Sequence, residues 1–327
     1  MRKIINLPEN YTDDMLRGIY AAYPESVTYA DDLRSYCRKN PVPGKVAIIT
    51  GGGTGHLPLF LGYVGDGLID GCGVGSVFQS PTPEQIVHIV RHVDGGKGVL
   101  FLYGNYTGDI MTFDMAAEIC DMEGIETASV VGADDVSSGE PSVRRGVAGI
   151  FYLYKAAGAV ADAGKDLQEV AAAAKKMGER VRTVGFALSP CILPEVGKPG
   201  FQLEEGEMAM GMGIHGEPGI WEGPIRTAKE IAKESLEVLF KDMPIPAGEE
   251  VSVLINGLGA TPLDELYILY AEVQKQLKER GIGVFRPYIG NYATSMEMAG
   301  ASISICHVNE EIKEWLNHPV HTPFFTF

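Results

Sequence analysis

Cysteine is scarce in this chain and none of it is closely paired. Cys37, Cys72, Cys120, Cys191 and Cys306 are scattered, with no C-x-x-C spacing among them. An odd, dispersed set argues against a disulfide framework and predicts reduced thiols. Positive charge is also short: 27 Lys and Arg stand against 43 Asp and Glu, a net charge of −16. Phosphate backbones are met by basic surfaces, so this balance argues against a nucleic-acid partner. No uncharged apolar run is long enough to cross a bilayer, and the opening MRKIINLPEN lacks the continuous apolar stretch of a signal peptide. The chain is expected in the cytoplasm and off the membrane. Missing too are the Lys-Ser/Thr of a P-loop, the lysine and HRD set of a protein kinase, and a carboxylate cluster for Mg²⁺. No metal and no cofactor is expected to be bound by this chain.

What is present is enough for two ordinary domains: 327 residues, 45% hydrophobic and 21% charged, the balance of a globular protein. Short Val- and Ile-rich runs alternate with helical patterns. Residues 45–50, 98–103 and 126–131 read as strands, with helices over 83–93 and 111–122 between them. Runs buried on both faces and separated by helices predict a mostly parallel, wound α/β sheet. The Ala-rich stretch 146–177 reads as two helices around Gly164. New strands are expected at 182–188, 251–256, 283–289 and 302–308, with a helix over 263–280. A domain boundary is therefore expected near residue 182, giving domains 1–182 and 183–327. Residues 197–222, dense in Gly, Pro and Met, read as a long ordered loop of the kind that often carries function.

Three segments carry candidate chemistry. Residues 50–58 (TGGGTGHLP) put glycines directly after a strand, where backbone can approach a ligand closely, and end on His56, whose ring exchanges protons near neutral pH. Residues 103–109 (YGNYTGD) follow another strand, and ligands in open α/β sheets bind beyond the carboxyl ends of strands. Asp109 there either takes a hydroxyl proton or caps the helix that follows. Residues 211–219 (GMGIHGEPG) hold His215 among glycines, open to a small molecule. Its neutral ring is either a nucleophile able to add to a ketone or a structural histidine in a turn. His88 and His92 share a helix face at metal-pair spacing but lack a third ligand nearby. The Met208, Met210 and Met212 run is expected to be loop packing.

At this point the chain resembles the substrate-binding K subunit of dihydroxyacetone kinases. The matching segments are GGGTGH (51–56), QSPTPEQI (79–86), VDGGKGVL (93–100), NYTGD (105–109), RRGVAG (144–149), GKPGF (197–201), GIHGEPGI (213–220), NGLGATPLDELY (256–267) and HTP (321–323), in order along the chain. The resemblance implies two α/β domains, each on a mainly parallel or mixed sheet with flanking helices, in a homodimer. It implies that His215 forms a covalent hemiaminal with dihydroxyacetone, and that His56 and Asp109 assist proton transfer from the hydroxyl to be phosphorylated. Gly53 is expected to contact the ketose through its backbone. Thr54, Gly55 and Gly104 complete the expected substrate-binding set. Mg²⁺ and ADP or ATP are expected on a separate L subunit, with ATP or a phosphotransferase-system protein as donor. The chain stops at Phe327 straight after the K-type segments, so no fused L domain is expected.

Two positions depart from the family pattern. Leu57 stands where the family has Glu, and Gly104 where it has Lys just before the NY-x-GD motif. Gly104 is expected to leave room for a longer ketose. These departures keep two alternatives open: a kinase subunit for an erythrulose-like ketose, and a non-catalytic ketose-sensing regulator on the same fold. A dinucleotide-dependent oxidoreductase is disfavoured: it would need a Rossmann glycine pattern with an acidic residue about 20 residues on, and the family segments contradict it.

Overall fold

The computed structural model describes residues 3–327. In chain order, α1 (Tyr11–Ala22), β1 (Val27–Tyr29), β2 (Ser35–Arg38), β3 (Ala47–Thr54), β4 (Gly71–Val77), α2 (Pro83–Val93), β5 (Val99–Gly104), α3 (Thr107–Met122) and β6 (Thr127–Gly132) build the first layer. Then come α4 (Ile150–Asp162) and α5 (Leu167–Glu179). The second layer holds β7 (Val181–Ser189), β8 (Glu207–Met210), β9 (Trp221–Pro224), α6 (Ala228–Asp242), β10 (Glu250–Gly257), α7 (Leu263–Glu279), β11 (Gly283–Gly290), β12 (Ala299–His307) and α8 (Glu310–Asn317).

The strands form two six-stranded mixed sheets. The first has the order β1-β2-β4-β3-β5-β6, with β4, β3, β5 and β6 parallel. Its parallel strands β3 and β5 are buried residue after residue, as strands covered by helices on both faces must be. The second runs β11-β10-β12-β7-β8-β9, and only β10 with β11 is parallel. The mostly parallel sheet read from the sequence thus holds for the first layer and gives way to an antiparallel one in the second. Helices α2 and α3 cover one face of the first sheet, with Ile86, Val90, Phe113 and Ala116 fully buried there. Helices α6 and α7 cover the outer face of the second sheet through Leu236, Leu269 and Val273.

Helix α4 lies between the two sheets and is apolar nearly all round, the pattern of a buried helix. Its two tyrosines reach in opposite directions. Tyr154 Oη is 2.8 Å from Thr50 Oγ1 on β3, and Tyr152 Oη is 3.0 Å from Ser252 Oγ on β10. One apolar cluster accordingly runs through both layers, joining Ile48 and Leu100 to Leu254, Met298 and Cys306. The boundary expected at 182 falls one residue into β7. After α8 the chain returns to the first layer: His321 pairs with Asp66, and Thr322 Oγ1 donates to the Gly62 carbonyl at 2.8 Å. All five cysteines are free and buried.

Two sequence expectations are corrected here. The loop expected over 197–222 contains β8, and Met208 and Met210 sit on that strand in the core of the second sheet. The helix expected from residue 111 begins at Thr107, because Tyr106, with extended backbone, occupies the N-cap position. His88 and His92 sit part-buried on α2; among the described residues no three His, Cys, Asp or Glu side chains form a metal-holding group.

Candidate active site

The carboxyl ends of β3, β4 and β5 converge on one cavity of about 270 Å³. Gly53, Phe60, Phe78, Ser80, Asp109 and His215 are among its walls. Gly53 is there for a steric reason: a Cβ on it would lie 2.6–2.8 Å from the backbone of Phe78 and Gln79. Phe78 itself is held at φ 56°, a left-handed conformation rare for a bulky residue. Its ring stacks on His56 with centroids 4.9 Å apart.

His56 is 1% exposed and fixed from both ends. Its Nδ1 is 2.8 Å from the carbonyl of Thr294, on the turn between β11 and β12, and its Nε2 is 3.0 Å from His215 Nε2. Burial first, then the charge of His215, pulls its pKa from 6.5 down to about 3. His215 sits in the turn between β8 and β9, with its Nδ1 2.8 Å from Glu217 Oε1. Its backbone N–H donates to Glu217 Oε2 at 2.9 Å. Burial raises the pKa of Glu217, but the hydrogen bond and charge of His215, with help from Arg145, hold it at about 2. Glu217 is an ionised acceptor.

These contacts fix the protons. A carbonyl accepts only, so His56 Nδ1 carries a proton; an ionised carboxylate accepts only, so His215 Nδ1 carries one too. The two Nε2 atoms then face each other at 3.0 Å, a spacing that a proton between them would bridge. The two imidazoles form a relay through that contact.

Asp109 lies in the first turn of α3 and is 5% exposed. It does not act as the cap; its Oδ1 is buried without a hydrogen-bond partner. Burial pushes its pKa up to about 6, against the pull of Ser80 and His215. A buried carboxylate with an open lone pair in a cavity is suited to take a proton from a bound hydroxyl.

The cavity gathers His215, Asp109 and Gly53 from the expected set. His56 stands behind His215 and reaches the cavity through it. Thr54 turns away, donating to the Gly75 carbonyl, and the Gly55 carbonyl is taken by Met296 N–H and Thr294 Oγ1. Gly104 lies outside the cavity wall, and the space expected above it is filled: a Cβ there would meet the Tyr106 ring at 3.2 Å. Leu57 packs against the core, and its carbonyl accepts from Thr294 Oγ1. Sequence reasoning passed over Glu217, Phe78, Tyr106 and Thr294. For Glu217 a signal existed, a carboxylate two residues from a glycine-flanked histidine. Thr294 meets His56 through its carbonyl, which no side-chain pattern reveals.

Comparisons with known proteins identify the family. The Dak1 domain model matches residues 17–324. A Listeria innocua protein named PTS-dependent dihydroxyacetone kinase 2, dihydroxyacetone-binding subunit DhaK, is 44% identical over 99% of both chains. An L-erythrulose kinase of Pectobacterium atrosepticum is 39% identical over 99% of this chain, which spans 56% of that protein. Among solved structures, a dihydroxyacetone kinase operon co-activator superposes with a TM-score of 0.89 at 34% identity, covering 94% of this chain and 96% of that one. The dihydroxyacetone kinase of C. freundii gives 0.92 at 28% identity, covering 99% of this chain and 60% of that one. With the family model spanning nearly the whole sequence and its motifs meeting at one cavity, the chain belongs to the Dak1 family.

Proposed function

We propose that the chain is the dihydroxyacetone-binding subunit of a dihydroxyacetone kinase and anchors the ketose on His215 as a hemiaminal. The observation that carries this reading is the Glu217–His215–His56 relay, whose nucleophilic nitrogen opens on a cavity holding an unpartnered carboxylate. The ketose carbonyl approaches His215 Nε2 from the cavity. A proton bridging the two Nε2 atoms passes to the carbonyl oxygen as the C=O π bond opens, and the freed His215 Nε2 pair bonds to carbon. One N–H bond and the C=O π bond break, one O–H and one C–N bond form, and the net charge is unchanged. Glu217 balances the resulting N-alkylated ring. Polyols lack the carbonyl and are refused for that reason, a discrimination that shape alone supplies poorly.

Asp109 Oδ1 then accepts the proton of the terminal hydroxyl as that oxygen attacks phosphorus, a contribution of about 10²–10⁴-fold. The phosphoryl group comes from a nucleotide with Mg²⁺ on a separate L subunit, with ATP or a phosphotransferase-system protein behind it. The active unit is a cytoplasmic homodimer, which sedimentation would test.

Two further readings share the site. An erythrulose-like ketose would have to fit the cavity as it stands, since Tyr106 occupies the space over Gly104. A ketose-sensing regulator is favoured by the likeness to the co-activator structure. The deciding experiment mixes the chain with an L subunit and ATP, or with phosphotransferase components, and offers dihydroxyacetone, the erythruloses and glycerol. Phosphorylated ketose and untouched glycerol are expected, with no product from His215→Ala. Tight ketose binding that needs His215 but gives no product with any donor would replace the kinase reading by the regulator.

A further inference from the structure

After β6 the chain makes a half-buried turn that lines no part of the cavity and yet reaches the His215 loop. Asp135, 2% exposed, accepts the N–H of Ser137 at 3.0 Å on Oδ1 and Arg145 Nε at 2.9 Å on Oδ2. Arg145 Nη2 also pairs with Asp135 Oδ2 at 2.8 Å, and the fork reaches on to the loop. Nη2 lies 3.3 Å from the Gly211 carbonyl, and Nη1 lies 3.8 Å from Glu217 Oε2. Ser137 Oγ lies 2.8 Å from the same Gly211 carbonyl. The meeting of guanidinium and carboxylate requires glycine at 213, where a Cβ would stand 2.1 Å from Glu217 Oε2 and 2.7 Å from Arg145 Nη1. Tyr106, whose buried Oη has no partner, closes the enclosure edge-on to His215. First-layer residues thus grip the loop of the second layer that carries the anchor.

We propose that Arg145 is a positioning residue for the ketose anchor: held by Asp135, it holds Glu217 in place as an acceptor, so that His215 carries its proton on Nδ1 and presents Nε2 to the carbonyl. The physical argument is about acceptors. A buried carboxylate without a cation tends to take up a proton. Glu217 would then donate to His215 Nδ1 instead of accepting from it. The ring would hold its proton on Nε2, facing His56, and the nucleophilic pair would be lost. Arg145 forbids that inversion from a distance, much as an orienting carboxylate fixes the tautomer of a general base. Arg144, next to it, turns the other way and pairs with Asp242 at the end of α6.

This assignment rests on His215 being the ketose anchor, and its test separates the two claims. Nitrogen NMR of histidine-labelled protein reports the His215 Nδ1 proton without any ketose. Carbon NMR of a carbonyl-labelled ketose reports the adduct. Arg145→Met is expected to shift His215 Nδ1 to the unprotonated type and to weaken adduct formation at least tenfold. Arg145→Lys, which keeps the charge without the fork, should recover part of both signals. Arg144→Met should lower thermal stability and leave both unchanged. A folded Arg145→Met protein with a wild-type Nδ1 signal would overturn the proposal, as would equal effects from Arg144→Met. If Arg145→Met does not fold, Arg145→Lys decides alone: wild-type Nδ1 and adduct signals in it exclude the role. Wild-type protein forming no adduct with any ketose would sink the anchor reading, while the Nδ1 signal would still judge Arg145.

Discussion

His56 and Asp109 pull stability in opposite directions as pH changes. His56 is favoured neutral in the fold, its pKa taken from 6.5 to about 3 by burial and the His215 charge. Its contribution is full above pH 6.5 and drains away as pH falls toward 3, because the unfolded chain binds a proton the fold refuses. Asp109 is favoured protonated, raised from 3.8 to about 6 by burial. Its contribution is full below about pH 4 and is lost as pH rises through about 6. Between about pH 4 and 6 the two slopes offset each other. Asp109→Asn removes one of them. It is expected to raise thermal stability at neutral pH, by on the order of 2–3 kcal/mol, and to steepen the loss of stability on acidification. Melting curves from pH 4 to 7 check both, and a flatter acid limb in Asp109→Asn would contradict the assignment. The same variant should keep the ketose adduct while phosphorylation falls about 10²–10⁴-fold. The sequence pointed to His56, Asp109 and His215 through their glycine-rich settings. It did not point to the proton arrangement, which depends on a carbonyl from residue 294 and on a carboxylate whose acceptor role exists only once the loop is folded.

Helices tell the same story at the scale of elements. Helix α2 starts with a full capping box, Thr82 accepting from Gln85 N and Gln85 reaching back, with Pro83 in the first turn. The sequence located it to the residue. Helix α3 has no such signal: Tyr106 at its N-cap gives no side-chain bond, and its first turn forms part of the cavity wall. That absence hid its start and also leaves its first N–H groups facing the ligand space. Strand β4, GCGVGSV, escaped reading because its glycines mimic a turn, although Gly73 and Gly75 sit where a Cβ would strike Ile86 and Gln79. Strands β8 and β9 were hidden by their short length and the Gly- and Pro-rich sequence around them. The glycine at the end of β3 gives the sharpest test. Gly53→Ala sets a methyl against the backbone of residues 78 and 79, which no side-chain rotation relieves. It is expected to cost about 1–3 kcal/mol and to abolish ketose binding by displacing Phe78 from His56. Wild-type binding by a destabilised Gly53→Ala protein would show that Phe78 does not shape the site.

At the scale of the whole molecule, two sheets share one core. Helix α4 bonds to both, and the C-terminal residues after α8 pack back on the first layer. The two-domain division at 182 was drawn from alternating patterns, and periodicity reports which face of an element is buried but not against which neighbour. A core continuous across both layers predicts one cooperative unfolding transition. Far-ultraviolet dichroism and the fluorescence of Trp221 and Trp315 should follow the same melting curve. Separately produced fragments 1–182 and 183–327 should fail to fold, each losing apolar partners on the other side of α4. Two resolved transitions, or a stable fragment, would show that the layers are independent domains.

The burial of every thiol has a practical side. None of the five cysteines is more than 2% exposed, and burial pushes the thiols of Cys37 and Cys120 up to about 12 and about 11. A maleimide dye reacts with accessible thiolate, so the native chain is silent to it. One cysteine placed on the surface of α3, at the exposed Met115 beyond the cavity mouth, would be the sole point of attachment. The arrival of an L subunit could then be watched by fluorescence on an otherwise unaltered protein.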